Sequence, residues 1–102
     1  MLTCNAQHRP YGFKVVASGG RMAVPVDVAL VFRAALLLGA VSIVVVHNHT
    51  SGDPSPSGQD LHLTVRLITA GHIIDVPVLD HLILGRAHSC LSLREEHGHL
   101  WP

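Results

Sequence analysis

The hydrophobic positions of this chain change their spacing several times, and each change marks a new element. Residues 1–25 read as strand and loop: Tyr11 to Ala17 (YGFKVVA) has strand-like content, and Ser18-Gly19-Gly20 signals a turn. Beyond Asp27 the apolar residues fall at helical spacing, at Val28, Val31, Phe32, Ala35, Leu36 and Leu38. Pro25 stands near the start of this predicted helix and Gly39 at its stop. Asp27 and Arg33 are its only charges, which predicts a helix buried on most sides. Val41 to Val46 (VSIVVV) is short, β-branched and continuously apolar, the pattern of a central strand covered on both faces.

That strand runs into His47-Asn48-His49 and then into Thr50 to Pro56 (TSGDPSP), a loop by composition. Ser57 opens a second helix with Asp60 three residues on; Leu61, Val65 and Ile68 share a face, and Gly71 supplies the cap. Val76 to Leu84 (VPVLDHLIL) reads as a strand with Pro77 near its beginning, and His88 to Leu93 as a last short strand. The order strand, helix, strand, loop, helix, strand, strand places the chain in the α/β or α+β class, a small mixed sheet packed by two main helices. No repeat or linker divides it. It reads as a single domain over residues 1–102 with a loose tail over 94–102.

Composition narrows the function classes. Apolar residues make up 48% of the 102 and charged residues 14%, so the chain is built to form a core. Seven Lys+Arg balance seven Asp+Glu, and the arginines are scattered from Arg9 to Arg94. That speaks against nucleic-acid binding driven by phosphate contacts. The longest run free of charge and His, between Arg33 and His47, is 13 residues, too short for the ~20 that a membrane span needs. No basic-then-apolar leader opens the sequence, and Cys4 and Cys90 form no C-x-x-C pair, so both read as reduced thiols in a cytoplasmic protein. The outlier is histidine, present nine times beside four aromatic residues.

Two of those histidines carry the candidate chemistry. His47 and His49 lie two apart at a strand end, so both side chains can point to one side. The Gly52, Pro54 and Pro56 loop can fold Asp60 back onto them from the first turn of the next helix. Two imidazoles and a carboxylate with a fourth position free for water match a catalytic zinc rather than a closed structural one. A bare His-x-His is weak in a chain with nine histidines. Adding Ser57 and Asp60 at fixed offsets reduces the chance expectation to roughly three in a thousand. On spacing alone the competing reading stays open: solvated histidines beside a helix cap, with Ser57 and Asp60 as a relative of the capping box.

The segment His47 to Asp60 (HNHTSGDPSPSGQD) resembles the signature of the RadC-like proteins, members of the wider JAB/MPN metalloenzyme-like domains, whose motif is Glu followed by His-x-His-x7-Ser-x2-Asp. Thr64 to Gly71 (TVRLITAG) and Val78 to Gly85 (VLDHLILG) are similar to the pattern that follows it, and the resemblance covers roughly Pro25 to Glu95. It implies a JAB/MPN-like layering of the cytidine deaminase-like type. It implies a zinc ion held by His47, His49 and Asp60, with Ser57 helping to stabilise a tetrahedral intermediate as zinc-activated water attacks a peptide or isopeptide amide. The family's traditional label is DNA repair. Its full-length members also carry a helix-hairpin-helix-like region, for which this chain leaves no room.

Two departures from the family pattern matter. Thr50 stands where Pro usually follows the second histidine, which changes loop rigidity but removes no ligand. The upstream glutamate, the general acid/base, is missing: the only glutamates are Glu95 and Glu96, and the sole acid before His47 is Asp27, which reads as a helix-start residue. Matching Leu2 to Lys14 onto the family's early segment puts the glutamate before Met1, as in a member that lacks its first strand or strands. The expectation is a zinc-binding hydrolase domain with weak or no activity, or else a catalytically dead metal-binding or protein-interaction module. A missing edge strand would also favour self-association. No membrane partner is expected.

Other polar residues have milder readings. Asp53 is an Asx-turn residue before Pro54 or a substitute acid/base. Asp80-His81 interrupts an apolar strand, either orienting a ligand histidine or forming a hydrogen-bonded pair at the sheet surface. His97-x-His99 repeats the spacing in a polar tail without an acid. His62 and His72 face solvent, and Cys4 and Cys90 are ordinary thiols.

Overall fold

The computed structural model describes residues 2–4, 10–13, 27–49 and 53–102. Residues 14–17 of the first predicted strand, the Ser18-Gly19-Gly20 turn, Pro25, Thr50 and Gly52 lie outside them. The described strands are β1 (Leu2–Cys4), β2 (Pro10–Phe13), β3 (Ser42–Asn48), β4 (Val78–Leu84) and β5 (Cys90–Ser92). They form one mixed sheet in the order β2-β1-β3-β4-β5. Only β3 and β4 run parallel, and the connection between them is the long helix α2 (Gly58–Ile74). Helix α1 (Val28–Leu37) precedes β3, and a single turn, α3 (Leu93–Glu96), follows β5. The α+β class expected from the pattern is what the chain adopts. Among the described residues no helix is long and apolar enough to cross a membrane.

Asp27 caps α1 by accepting from the Ala29 amide at 2.9 Å, the helix-start role its position implies. The helix buries one stripe, Val31, Phe32 and Ala35, whereas Leu30 and Leu36 are exposed and Leu37 is 83% exposed. The expectation of burial on most sides therefore fails among the described residues. Gly39, at φ +67°, turns the chain out of α1 and into β3.

Helix α2 differs from its expected form in two respects. Its buried stripe is not Leu61, Val65 and Ile68 but Asp60, Thr64, Leu67 and Gly71, at helical steps of four, three and four. The polar members at the N-terminal end hid this stripe from a hydrophobic count. Gly71 does not cap the helix either; Asp75 does, in the left-handed conformation at φ +63°. Gly71 is instead where the backbone of Val76 comes close: a Cβ there would meet the Val76 carbonyl oxygen at 2.6 Å and the Phe32 ring at 3.4 Å. Gly71→Ala is expected to destabilise the fold by about 1–3 kcal/mol despite the better helix propensity of Ala, read as a lower denaturant midpoint. An unchanged midpoint would contradict this packing.

The tail expected to be loose is tied down. Leu93 is fully buried, and the Trp101 indole N–H donates to the Val78 carbonyl at 2.8 Å. Arg94 donates to the Leu79 carbonyl at 2.8 Å while its guanidinium lies over the Trp101 ring at 5.9 Å. Asp80 anchors this segment by accepting from the Ser92 hydroxyl and the Arg94 amide.

Candidate metal centre

Alternation along β3 puts Ile43, Val45 and His47 on the sheet face covered by helices; Ile43 and Val45 are buried in the main core cluster with Leu67 and Phe32. His47 continues that face to the C-terminal end of the strand, opposite Ile83 of β4. His49 lies just past the strand, its amide donating to the Leu84 carbonyl at 3.0 Å. The N-terminus of α2 lies against both imidazoles. Its entry is fixed by a full capping box: Ser57 Oγ accepts from the Asp60 amide at 3.1 Å, and Asp60 Oδ2 accepts from the Ser57 amide at 2.8 Å.

This geometry delivers the carboxylate to the histidines. Asp60 Oδ2 lies 2.9 Å from His49 Nε2, and Oδ1 lies 3.3 Å from His47 Nδ1. The His47 contact falls off hydrogen-bond alignment, so among the described residues buried Nδ1 has no hydrogen-bond partner. The His47 and His49 rings meet edge to face with centroids 4.8 Å apart. One donor atom from each of His47, His49 and Asp60 lies within 4.8 Å of the others, so the three residues can hold a metal ion. They are the one such group among the described residues.

The protons around His49 are fixed by its neighbours. His49 Nδ1 lies 2.9 Å from the Asp53 main-chain carbonyl, which can only accept, so Nδ1 carries the proton. The Nε2 lone pair then faces a carboxylate oxygen that is also an acceptor. Only a proton or a cation resolves that opposition. A ring N–H held by a backbone carbonyl is the usual device for orienting a metal-binding imidazole. Burial lowers the affinity of His47 for a proton; Asp60 works against this and His49 adds to it. Burial alone would raise the Asp60 carboxyl, but the Ser57 hydrogen bonds and the two imidazoles outweigh it and hold Asp60 below the usual carboxylate range. Both shifts favour the deprotonated forms that bind a metal.

Ser57 sits at the rim, its Oγ occupied as the helix cap. Asp53 is exposed and forms an Asx turn, Oδ1 accepting from the Ser55 amide at 2.9 Å. That bond holds its carboxyl below the ordinary range, which fits the turn reading. Asp80 and His81 are hydrogen-bonded through the His81 amide, which donates to Asp80 Oδ1 at 2.7 Å, but their side chains part: the Asp80 carboxylate also accepts from the C-terminal segment, and the His81 ring is fully buried under α2. His62 and His72 are exposed, and Cys90 is an exposed free thiol. His97 and His99 pair their rings at 5.8 Å. Thr64 was missed by sequence reasoning. Its place one helical turn after Asp60 is the only signal that would have found it.

A profile of the RadC-like JAB domain matches residues 1–99. A UPF0758 protein from Roseiflexus castenholzii is 41% identical over 91 residues, covering 89% of this chain and 39% of the relative. One from Caldanaerobacter subterraneus is 50% identical over 66 residues, covering 65% of this chain and 28% of the relative. One from Bacillus mycoides is 49% identical over 70 residues, covering 69% and 30%. The chain thus spans less than two fifths of the length of these relatives.

Proposed function

The chain belongs to the RadC-like JAB domain family, and on that premise we propose that His47, His49 and Asp60 hold a zinc ion for the hydrolysis of peptide or isopeptide amides. The observation that carries this reading is the convergence of His49 Nε2 and Asp60 Oδ2, held 2.9 Å apart by the Asp53 carbonyl on one side and the capping box on the other. The His47 nitrogen, without a hydrogen-bond partner among the described residues, completes a donor set of two imidazoles and one carboxylate. Zinc in such a set supplies Lewis acidity and a water whose pKa falls to about 7.

The surrounding residues divide the remaining work. Asp60 keeps the charge of the site negative, and the Asp53 carbonyl fixes the tautomer of His49. Ser57 Oγ accepts from the Asp60 amide, which leaves its hydroxyl proton to donate to an oxygen developing charge beside the site. Zero net charge favours a peptide over a nucleic acid as substrate. We place the chemistry in the cytoplasm, where Cys4 and Cys90 remain thiols.

Amide cleavage also needs a proton for the leaving nitrogen, and a positioned acid/base contributes about 10²–10⁴-fold. Asp27 is engaged in capping α1, and Glu95 and Glu96 follow β5 toward the N-terminal end of β4, away from His49 and Leu84. The 102-residue chain, reconstituted with zinc, is expected to retain about one ion per chain after dialysis and to cleave amides barely above background. Substituting His97 and His99 leaves that count unchanged. Absence of retained zinc would overturn the site. Robust chelator-sensitive cleavage that vanishes in His47→Ala would keep the site and overturn the low activity, making Asp53→Asn the next variant to measure.

A further inference from the structure

Among the described residues His81 is the one imidazole that is fully buried, and the proposed chemistry gives it no task. It pairs with Val45 in the β3–β4 ladder, on the same sheet face as His47, and its ring lies nearly parallel to that of His47 at 6.0 Å. Its Nδ1 lies 2.7 Å from Thr64 Oγ1, and Thr64 Oγ1 lies 2.7 Å from the main-chain carbonyl of Asp60. Thr64 is also fully buried.

One hydroxyl proton has to serve both contacts. The Asp60 carbonyl can only accept, so the Thr64 proton goes there, and Oγ1 must accept from His81. The chain of bonds therefore has one direction: His81 Nδ1–H to Thr64 Oγ1–H to the Asp60 carbonyl. It requires the neutral Nδ1–H form of His81 and leaves Nε2 as a buried lone pair without a partner among the described residues. A buried acceptor left unpaired costs about 1–3 kcal/mol. An apolar residue at this position would avoid that cost but would also lose the bond from Nδ1 to Thr64.

We infer that His81 is a positioning residue for the metal centre, acting through Thr64 to set where α2 presents the Asp60 carboxylate. The inference rests on the metal-site reading above. The carboxylate reaches both histidines only because the first turn of α2 sits at one height over the sheet. Its own capping box fixes the turn internally, but Ser57 and Asp60 belong to the same turn and do not tie it to the strands. The His81–Thr64–Asp60 bonds join that turn to β4, beside the strand that carries His47.

Co²⁺ titration followed by d–d absorption, with zinc competition, tests this in four variants. Thr64→Val keeps the shape and removes both bonds; His81→Leu removes the donor. Each is expected to weaken binding about 10–100-fold and to alter the Co²⁺ spectrum. Thr64→Ser should restore both, and His81→Asn, which places an N–H near Nδ1, should restore most of the affinity. Thr64→Val and His81→Leu proteins that fold yet bind Co²⁺ with parental affinity and spectrum would overturn the inference, as would failure of Thr64→Ser to rescue. A metal-free readout separates this claim from the metal-site reading. In imidazole ¹⁵N spectra the parent should show His81 protonated at Nδ1, and the Ser57 amide proton bonded to Asp60 should move upfield in Thr64→Val and return in Thr64→Ser. Parent protein that binds no Co²⁺ but shows these shifts sinks the metal site and keeps the positioning. An Nε2–H tautomer, or a Ser57 amide indifferent to Thr64, sinks the positioning.

Discussion

Asp60→Asn is expected to lower zinc affinity more than about 100-fold, beyond the 10–100-fold typical of losing an outer partner of a metal site. The substitution changes little in volume. Asn can still accept from the Ser57 amide through its oxygen, and Ser57 Oγ still caps the helix through the Asp60 amide. What is lost is the negative charge facing both imidazoles and one of the two acceptor oxygens, now an NH₂ group that repels a cation. The metal-free variant should therefore fold while binding fails. His47→Ala should weaken binding as well, by removing the nitrogen that has no hydrogen-bond partner among the described residues. Isothermal titration against a competing chelator measures both, and parental affinity in Asp60→Asn would remove the carboxylate from the ligand set.

The second large effect concerns pH and the metal-free chain. His81 faces His47 from β3, Asp60 from α2, and His49 and Asp80 at longer range. Burial, reinforced by His47, pushes its pKa from 6.5 down to about 4, with Asp60 and Asp80 opposing. In the unfolded chain the imidazole takes up its proton near 6.5, whereas the folded chain resists until about 4. The unfolded state therefore binds more protons across this window, so stability rises with pH there. The contribution is fully present above 6.5 and is lost progressively as pH falls toward 4, by about 3 kcal/mol in all. The lowered His47 acts in the same direction. Denaturant unfolding between pH 7 and 4 should show the fall, and His81→Asn should flatten it. A parent whose stability is level from pH 7 to 5 would mean that His81 is not held neutral in the fold.

The elements that carry the site were legible in the sequence because their signals are local. A continuous β-branched run can form little except a buried strand, and His47-x-His49 at its end needs only the two-residue repeat of a strand to share a side. Ser57 and Asp60 announce a helix start by their spacing, and the capping box that results is the device that turns Asp60 toward the histidines. The failures have a common physical origin. The face that α2 buries contains Asp60 and Thr64, the carboxylate satisfied by the Ser57 amide and the site histidines and the hydroxyl by the Asp60 main-chain carbonyl and His81, so a hydropathy count selects the wrong face. Gly71 looked like a cap because glycine often is one, whereas its task is to admit the Val76 carbonyl.

Long-range partners were equally hidden. Nothing in Arg94 or Trp101 announces that they will bond the carbonyls of Leu79 and Val78. The turn between β4 and β5 places Ala87 and His88 at φ +55° and +63°, positions where Asn-Gly would have been a readable signal. Asp80 and His81, adjacent in sequence, point to opposite faces of β4 and serve different ends of the fold. The pair reads as one polar interruption; the His81 amide does bond Asp80 Oδ1, but the two side chains serve different partners.

X-ray absorption at the zinc edge, on reconstituted protein carrying His97→Ala and His99→Ala, tests the central claim most directly. One zinc per chain is expected, with light-atom donors only at about 2.0–2.2 Å and scattering from two imidazole rings. A sulfur shell at about 2.3 Å, or loss of the zinc with the two tail histidines, would contradict a centre built from His47, His49 and Asp60.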